Sequence, residues 1–190
     1  VSTKKTILSL FDYSGNWPKY YRESGYNVLQ VDIKHDIDIL TLQPEDLPKE
    51  IHGILAAPPC TDFAGSGAQY WKQKDLDGRT DQSLKLVDKV LRMVDYYNPE
   101  FWALENPVGR LQKLRPELGE PWYFQPYWFG DPYTKKTGLW GKFNRDLPKS
   151  PVEPDPNSWI MKLGGKSERT KELRSMTPLG FAFAFFLANP

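Results

Sequence analysis

Cys60 is the only cysteine in the 190-residue chain, and it closes the run Ala56-Ala57-Pro58-Pro59-Cys60. The residues before it are apolar and read as a strand. A second apolar run, Phe101-Trp102-Ala103-Leu104, delivers Glu105-Asn106-Pro107. A thiolate is the reactive, nucleophilic form of cysteine. A carboxyl group preceded by four apolar residues is partly desolvated, which raises its pKa and lets it hold a proton near neutral pH. Presented together at strand exits, the two groups suit attack on an aromatic ring that must be protonated as it is attacked. Cytosine is a ring of that kind. A lone cysteine is more often a small buried hydrophobe, and a lone strand-end glutamate more often a cap or a lysine partner. The stiff Pro-Pro-Cys presentation and its pairing with Glu-Asn-Pro favour chemistry over packing.

The elements that would position these residues follow from periodicity. Thr6 to Phe11 reads as a strand ending in the turn-rich loop Asp12-Tyr13-Ser14-Gly15-Asn16. Pro18 to Glu23 reads as a short helix with proline in its first turn, stopped by Gly25. Tyr26 to Val31 and His52 to Ala57 are further strands, with Asp32 at the exit of the first. Leu84, Val87, Val90, Leu91, Val94 and Tyr97 repeat at helical spacing, which predicts an amphipathic helix over 80–97. Pro148 to Pro156 is an extended, proline-stiffened connection, and a final helix is expected over 178–188. Near-continuous apolar strands alternating with helices predict an α/β fold: a mostly parallel, doubly wound sheet with helices on both faces. Ligands of such sheets gather at the carboxyl ends of the strands. Gly15, Asp32, Cys60 and Glu105 all fall there, which predicts one shared site.

Asp32 is placed to bind two ribose hydroxyls, and Gly15 to let a ligand approach the backbone closely. The small residues of Ala64-Gly65-Ser66-Gly67-Ala68, followed by Tyr70 and Trp71, suit either a closing loop or an ordinary connector. Lys135 and Lys136 could reach a phosphate or a base oxygen, or could lie on a solvated edge strand. Lys162, Lys166, Arg169, Lys171 and Arg174 form a local basic stretch diluted by Glu168 and Glu172. His35 and His52 are too isolated for a metal site, so no metal is expected. No phosphate-cradling Gly-Lys-Ser/Thr loop and no serine–histidine hydrolase pattern is present.

Composition narrows the class. A formal net charge of +1 gives no global pull toward a polyanion, so nucleic-acid binding would rest on local patches. A single cysteine rules out an internal disulfide and fits a reducing, cytoplasmic compartment. Val1 to Lys5 lead straight into a strand without an apolar leader, and no apolar stretch is long enough for a membrane span. The expectation is a single domain over residues 1–190, acting as a monomer.

With these residues in place, the chain resembles the C5-cytosine DNA methyltransferases, particularly short forms of the kind found in phages. Leu10-Phe11-Asp12-Tyr13-Ser14-Gly15-Asn16-Trp17 resembles the first cofactor loop, and Val31-Asp32-Ile33 the acidic ribose-binding element. Asp36-Ile37 or Asp38-Ile39 is similar to the Asp-Ile step that contacts adenine. Pro58-Pro59-Cys60 resembles the nucleophile motif and Glu105-Asn106-Pro107-Val108 the Glu-Asn-Val motif. Tyr133 to Thr137 occupies the place of the Gln-x-Arg-x-Arg strand, and Arg174-Ser175-Met176-Thr177-Pro178 resembles the Arg-x-x-Thr-Pro element. Tyr13 stands where a glycine is usual and Ser9 where an aspartate is common. The family's Gly-Asn cofactor motif is not recognisable.

The resemblance implies a Rossmann-like methyltransferase fold and S-adenosyl-L-methionine as cofactor. It implies methyl transfer to C5 of cytosine in DNA, flipped from a duplex or taken from a single strand, with restriction-modification as a setting. Cys60, Glu105, Asn106 and Lys135 would be the catalytic residues. Phe11, Ser14, Gly15, Asn16, Trp17, Asp32, Ile33, Asp38 and Pro58 would bind the cofactor. Residues 141–168 would form a short proline-rich connection where a target-recognition domain is usual. Three alternatives stay open: the same chemistry on RNA or a nucleotide, transfer of a modified one-carbon group, and a non-catalytic DNA-binding module.

Overall fold

Six strands form one sheet in the computed structural model, which describes residues 3–164 and 167–190. The regular elements, in chain order, are β1 (Thr6–Leu10), α1 (Lys19–Glu23), β2 (Asn27–Val31), β3 (Gly53–Ala56), α2 (Trp71–Leu76) and α3 (Arg79–Tyr97). They continue with β4 (Phe101–Pro107), α4 (Leu111–Leu114), β5 (Trp122–Phe124), β6 (Thr137–Lys142), α5 (Glu168–Ser175) and α6 (Leu179–Ala188). The strand order is β2-β1-β3-β4-β6-β5. β1 to β4 are mutually parallel, and β6 runs antiparallel to both of its neighbours, β4 and β5. The chain thus has an α/β, Rossmann-like fold.

Every residue of β1 and β3 is buried, because helices cover both sheet faces. Side chains alternate across the sheet. Leu8, Leu10, Ile54 and Leu104 join Leu84, Val87, Val90 and Met93 of α3 in one core. Ile7, Leu55, Phe101 and Ala103 join Tyr21 of α1 and Phe181 and Phe185 of α6 in the other. Burying a side chain such as Val87 or Phe181 contributes about 1.5–3 kcal/mol.

Three expectations change. β4 runs through Glu105, Asn106 and Pro107 instead of stopping at Leu104, because β6 pairs with it there. The expected edge strand around Lys135 lies outside regular structure; strand begins at Thr137 and is interior, between β4 and β5. The small-residue segment after Cys60 is a 3-10 turn over Gly65–Tyr70 that leads into α2. Lys166 of the basic stretch, like Val1 and Ser2, lies outside the described residues.

β1 connects to β2 on one side, and β3 lies on its other side. The chain direction therefore switches between β1 and β3, and the loops leaving their carboxyl ends diverge. Those loops carry Phe11 to Asn16 and Ala57 to Ala64.

Candidate active site

Cys60 stands four residues past the end of β3 and is partly exposed. The register pairs Ala56 with Leu104, so Glu105 lies level with Ala57 and Asn106 level with Pro58. The Asn106 side chain is fully buried, and its Nδ2 donates to the Pro58 carbonyl at 3.2 Å. Asn106 thereby ties the Pro-Pro-Cys turn to β4, while its buried Oδ1 has no partner among the described residues. Burial pushes the Glu105 pKa up, and the Lys135 ammonium partly offsets it. Burial also pushes the Cys60 thiol up; the Glu105 charge adds to this, and the charges of Lys135 and Lys74 oppose it. The thiol and the carboxyl group thus share one electrostatic environment. A neutral Glu105 can donate a proton, and it also removes one of the two causes that hold Cys60 in its thiol form.

The segment after Cys60 is laced to the segment after Glu105. Gly65 N donates to the Val108 carbonyl and Arg110 N to the Phe63 carbonyl, each at 2.9 Å, around the bridge between Ala64 and Gly109. Arg110 is buried and reaches further. Its Nε donates to the Asp62 carbonyl at 3.0 Å, its two terminal nitrogens to Asp75 at 3.0 and 2.9 Å, and one of these to Thr80 at 2.9 Å. Its guanidinium also stacks over Trp71, 4.7 Å from the ring centre. The Lys74 ammonium donates to the Thr61 carbonyl and lies 3.1 Å from Asp62, which also accepts from Ser83. Sequence reading missed Asp62, Lys74, Asp75 and Arg110. Their partners lie far apart along the chain, and only the close Gly109 approach after a Glu-Asn-Pro strand hints at the crossing.

The loops leaving β1 and β2 carry most of the residues expected to bind a cofactor. Asp12 shapes the loop: its carboxylate accepts from Ser9 Oγ and from Gly15 N, each at 2.7 Å. Phe11 takes a positive φ of 58°, and its N–H donates to Val31. Ser14 is exposed and accepts from Asn16 N, while Asn16 Nδ2 donates to the Thr177 carbonyl at 3.2 Å. Gly15 has a φ of 73°, a conformation that favours glycine, and the space beside its Cα faces Gln30 and Arg22. The Trp17 ring is buried against Phe181 and Phe185 and serves the core. Asp32 accepts from Lys34 N at 2.8 Å and caps the turn that follows. Ile33 is 67% exposed beside Asp32, while Tyr13, 49% exposed, packs against the His35 ring with the Lys34 ammonium over its face. Asp38 accepts from Leu40 N, with Ile39 directed into the core. Pro58 is buried.

Lys135 approaches from beyond β4. Its Nζ donates to the Arg174 carbonyl at 2.8 Å, whereas Lys136 lies over the Tyr123 ring. The structure thus separates the two lysines, and the charge of Lys135 acts on both Cys60 and Glu105. α5 and the residues after it form a third wall, fastened by Lys34 to Glu172, Lys135 to Arg174 and Asn16 to Thr177. Among the described residues no group of three or more His, Cys, Asp or Glu could hold a metal ion, and no helix is long and apolar enough to cross a membrane.

The family model for C-5 cytosine-specific DNA methylase matches residues 15–118, a span holding Gly15, Asp32, Cys60 and Glu105. The chain belongs to this family. Within the C-5 cytosine-specific methylases it is similar to the type II methyltransferase M.NgoPII of Neisseria gonorrhoeae, 34% identical over 107 residues, covering 56% of this chain and 25% of that protein. It is also similar to M.DdeI of Desulfomicrobium norvegicum, 29% identical over 126 residues, covering 55% of this chain and 28% of that protein. The chain therefore spans about a quarter of the length of these curated methylases. Two solved structures share the fold at a TM-score of 0.53. One is a candidate DNA modification methyltransferase encoded within an E. coli prophage, 19% identical, covering 87% of this chain and 56% of that one. The other is the Entamoeba histolytica methyltransferase EhMeth, 14% identical, covering 87% and 61%. Lys135 and α5 lie outside the residues matched by the methylase model.

Proposed function

We propose that this chain transfers a methyl group to C5 of cytosine in DNA through a transient bond between Cys60 and C6. One observation carries the reading: in a C-5 cytosine-specific methylase, Cys60 follows β3 and Glu105 lies on the neighbouring strand β4, where the Glu105 charge raises the Cys60 thiol and the Lys135 charge acts on both. The Cys60 sulfur attacks C6 while Glu105 gives its proton to N3, so the ring's electrons move to C5. After C5 takes the methyl group, the C5 proton leaves to a base, the sulfur–C6 bond breaks as thiolate, N3 returns its proton to Glu105 and aromaticity returns. Asn106 holds the nucleophile turn at Pro58, and Lys135 is in reach of a base oxygen or a flanking phosphate.

The loops leaving β1 and β2 would hold S-adenosyl-L-methionine. Asp32 offers a carboxylate oxygen for ribose hydroxyls, and the uncovered Ile33 gives an adenine ring apolar surface to cover. Phe11, Ser14, Asn16, Asp38 and Pro58 would complete that site. When bound, the cofactor supplies the methyl group. Residues 143–164 hold no helix or strand, which supports a short connection where a recognition domain would stand and hence relaxed sequence preference.

Nucleoside mass spectrometry of DNA from cells expressing wild type or Cys60→Ala tests the proposal. 5-Methylcytosine in the wild type alone is expected. Equal amounts in both would reject it, and a different mass at C5 would redirect it to another one-carbon group.

A further inference from the structure

We propose that Lys74 is a positioning residue for Cys60, a buried cation held on the backbone beside the nucleophile so that its charge acts on the sulfur. The inference rests on Cys60 being the nucleophile. Lys74 is only 5% exposed, and a lysine so buried is held by partners or by function. Its ammonium donates to the carbonyl of Thr61, the residue next to Cys60, and pairs with Asp62 at 3.1 Å. Asp62 is itself engaged by Ser83 of α3. The cation is therefore anchored to a core helix and reaches the backbone one residue from the sulfur.

The turn around it is pinned independently of Lys74. Cys60 O accepts from Phe63 N at 2.9 Å and Ala64 N at 2.8 Å, and Arg110 holds the Asp62 and Phe63 carbonyls. A purely structural lysine adds little to a turn already fastened this way. The charged groups facing the thiol are Glu105 from β4, Lys135 from the segment before β6 and Lys74 from α2. Lys74 is the cation that α2 fastens to the backbone of the nucleophile loop, and Asp62 is the charge that tempers it.

Alkylation by iodoacetamide, followed by intact mass, reports Cys60 alone because the chain has no other cysteine. The thiolate displaces iodide, so the pH–rate curve follows thiolate formation. Lys74→Met is expected to move that curve to higher pH and slow alkylation at about pH 8 roughly three- to ten-fold. Lys74→Arg keeps the charge and stays within about two-fold of wild type. Asp62→Asn unmasks the ammonium and moves the curve to lower pH. Loosening of the loop would move Lys74→Met and Asp62→Asn in the same direction. That result, or a Lys74→Met curve coinciding with wild type, overturns the proposal. Should Lys74→Met fail to fold, the comparison of Asp62→Asn with Lys74→Arg decides it: a curve shifted to lower pH for Asp62→Asn supports the role, and an unshifted or higher one refutes it. No DNA or cofactor enters the assay. A protein that shows these shifts but never bonds to cytosine would sink the methyl-transfer reading and leave the role of Lys74 standing.

Discussion

Gly109→Ala is the sharpest perturbation of the lacing between the nucleophile loop and the Glu-Asn-Pro strand. A Cβ built at Gly109 would stand 1.9 Å from the Phe63 carbonyl oxygen and 2.8 Å from its carbon. Both are backbone atoms, so no rotamer relieves the clash. Restoring ordinary contact moves the Phe63 backbone by about 1.5 Å. The Arg110-to-Phe63 and Gly65-to-Val108 bonds span the same gap and are strained or lost by that shift. Their loss costs about 1 kcal/mol each. Residual crowding brings the total to about 2–3 kcal/mol. For a domain of this size the melting temperature should fall by about 5–10 °C. The effect on chemistry should be larger. Phe63 binds the Cys60 carbonyl, so the sulfur moves with it, and a misplacement of about 1 Å can slow a positioned reaction on the order of 100-fold. Thermal unfolding and the rate of covalent capture by a 5-fluorocytosine oligonucleotide, measured on one preparation, check both numbers. Wild-type melting together with wild-type capture would refute the reasoning.

Glu105→Gln should have two opposite effects: loss of capture on DNA, and, at pH values where wild-type Glu105 is ionised, faster iodoacetamide alkylation of Cys60, because the charge that raises the thiol is gone. The same variant should gain stability relative to wild type as pH rises. Burial raises the folded-state pKa of Glu105 above 4.5, so wild type loses stability as the carboxyl ionises on the way up, whereas the uncharged amide of the variant does not titrate; melting curves across pH test the sign. Lys135→Met should slow Cys60 alkylation and extend the pH range over which Glu105 stays neutral, read by the pH profile of capture. Trp17→Phe removes a buried, unpartnered indole N–H and should leave S-adenosyl-L-methionine affinity within about two-fold by calorimetry; a ten-fold loss would return Trp17 to the cofactor site.

The sheet was legible where burial is complete. β1 and β3 read as unbroken apolar runs because both of their faces are covered, and α3 because its apolar stripe repeats along 19 residues. The far end of β4 was not legible. Glu105, Asn106 and Pro107 look like a strand terminus, and only antiparallel pairing with β6 keeps them extended. β5 spans three residues, too few for a period to show. Cys60 and Glu105 stood out because chemistry restricts residue type. Lys74 and Arg110 did not, because an ion pair across 35 residues, such as Arg110 to Asp75, leaves no trace in local spacing. Trp17 sat inside a recognisable loop motif, and nothing local indicated that its ring turns under α6.

The central claim is that the Cys60 sulfur bonds to a cytosine while Glu105 protonates it. Peptide mapping by mass spectrometry after incubation with S-adenosyl-L-methionine and a 5-fluorocytosine oligonucleotide tests it most directly. Replacing the C5 hydrogen with fluorine blocks the final release, so the adduct accumulates. The account predicts one modified peptide, carrying Cys60, present in wild type and absent from both Cys60→Ala and Glu105→Gln. An adduct at any other residue, or undiminished Cys60 adduct in Glu105→Gln, would contradict it.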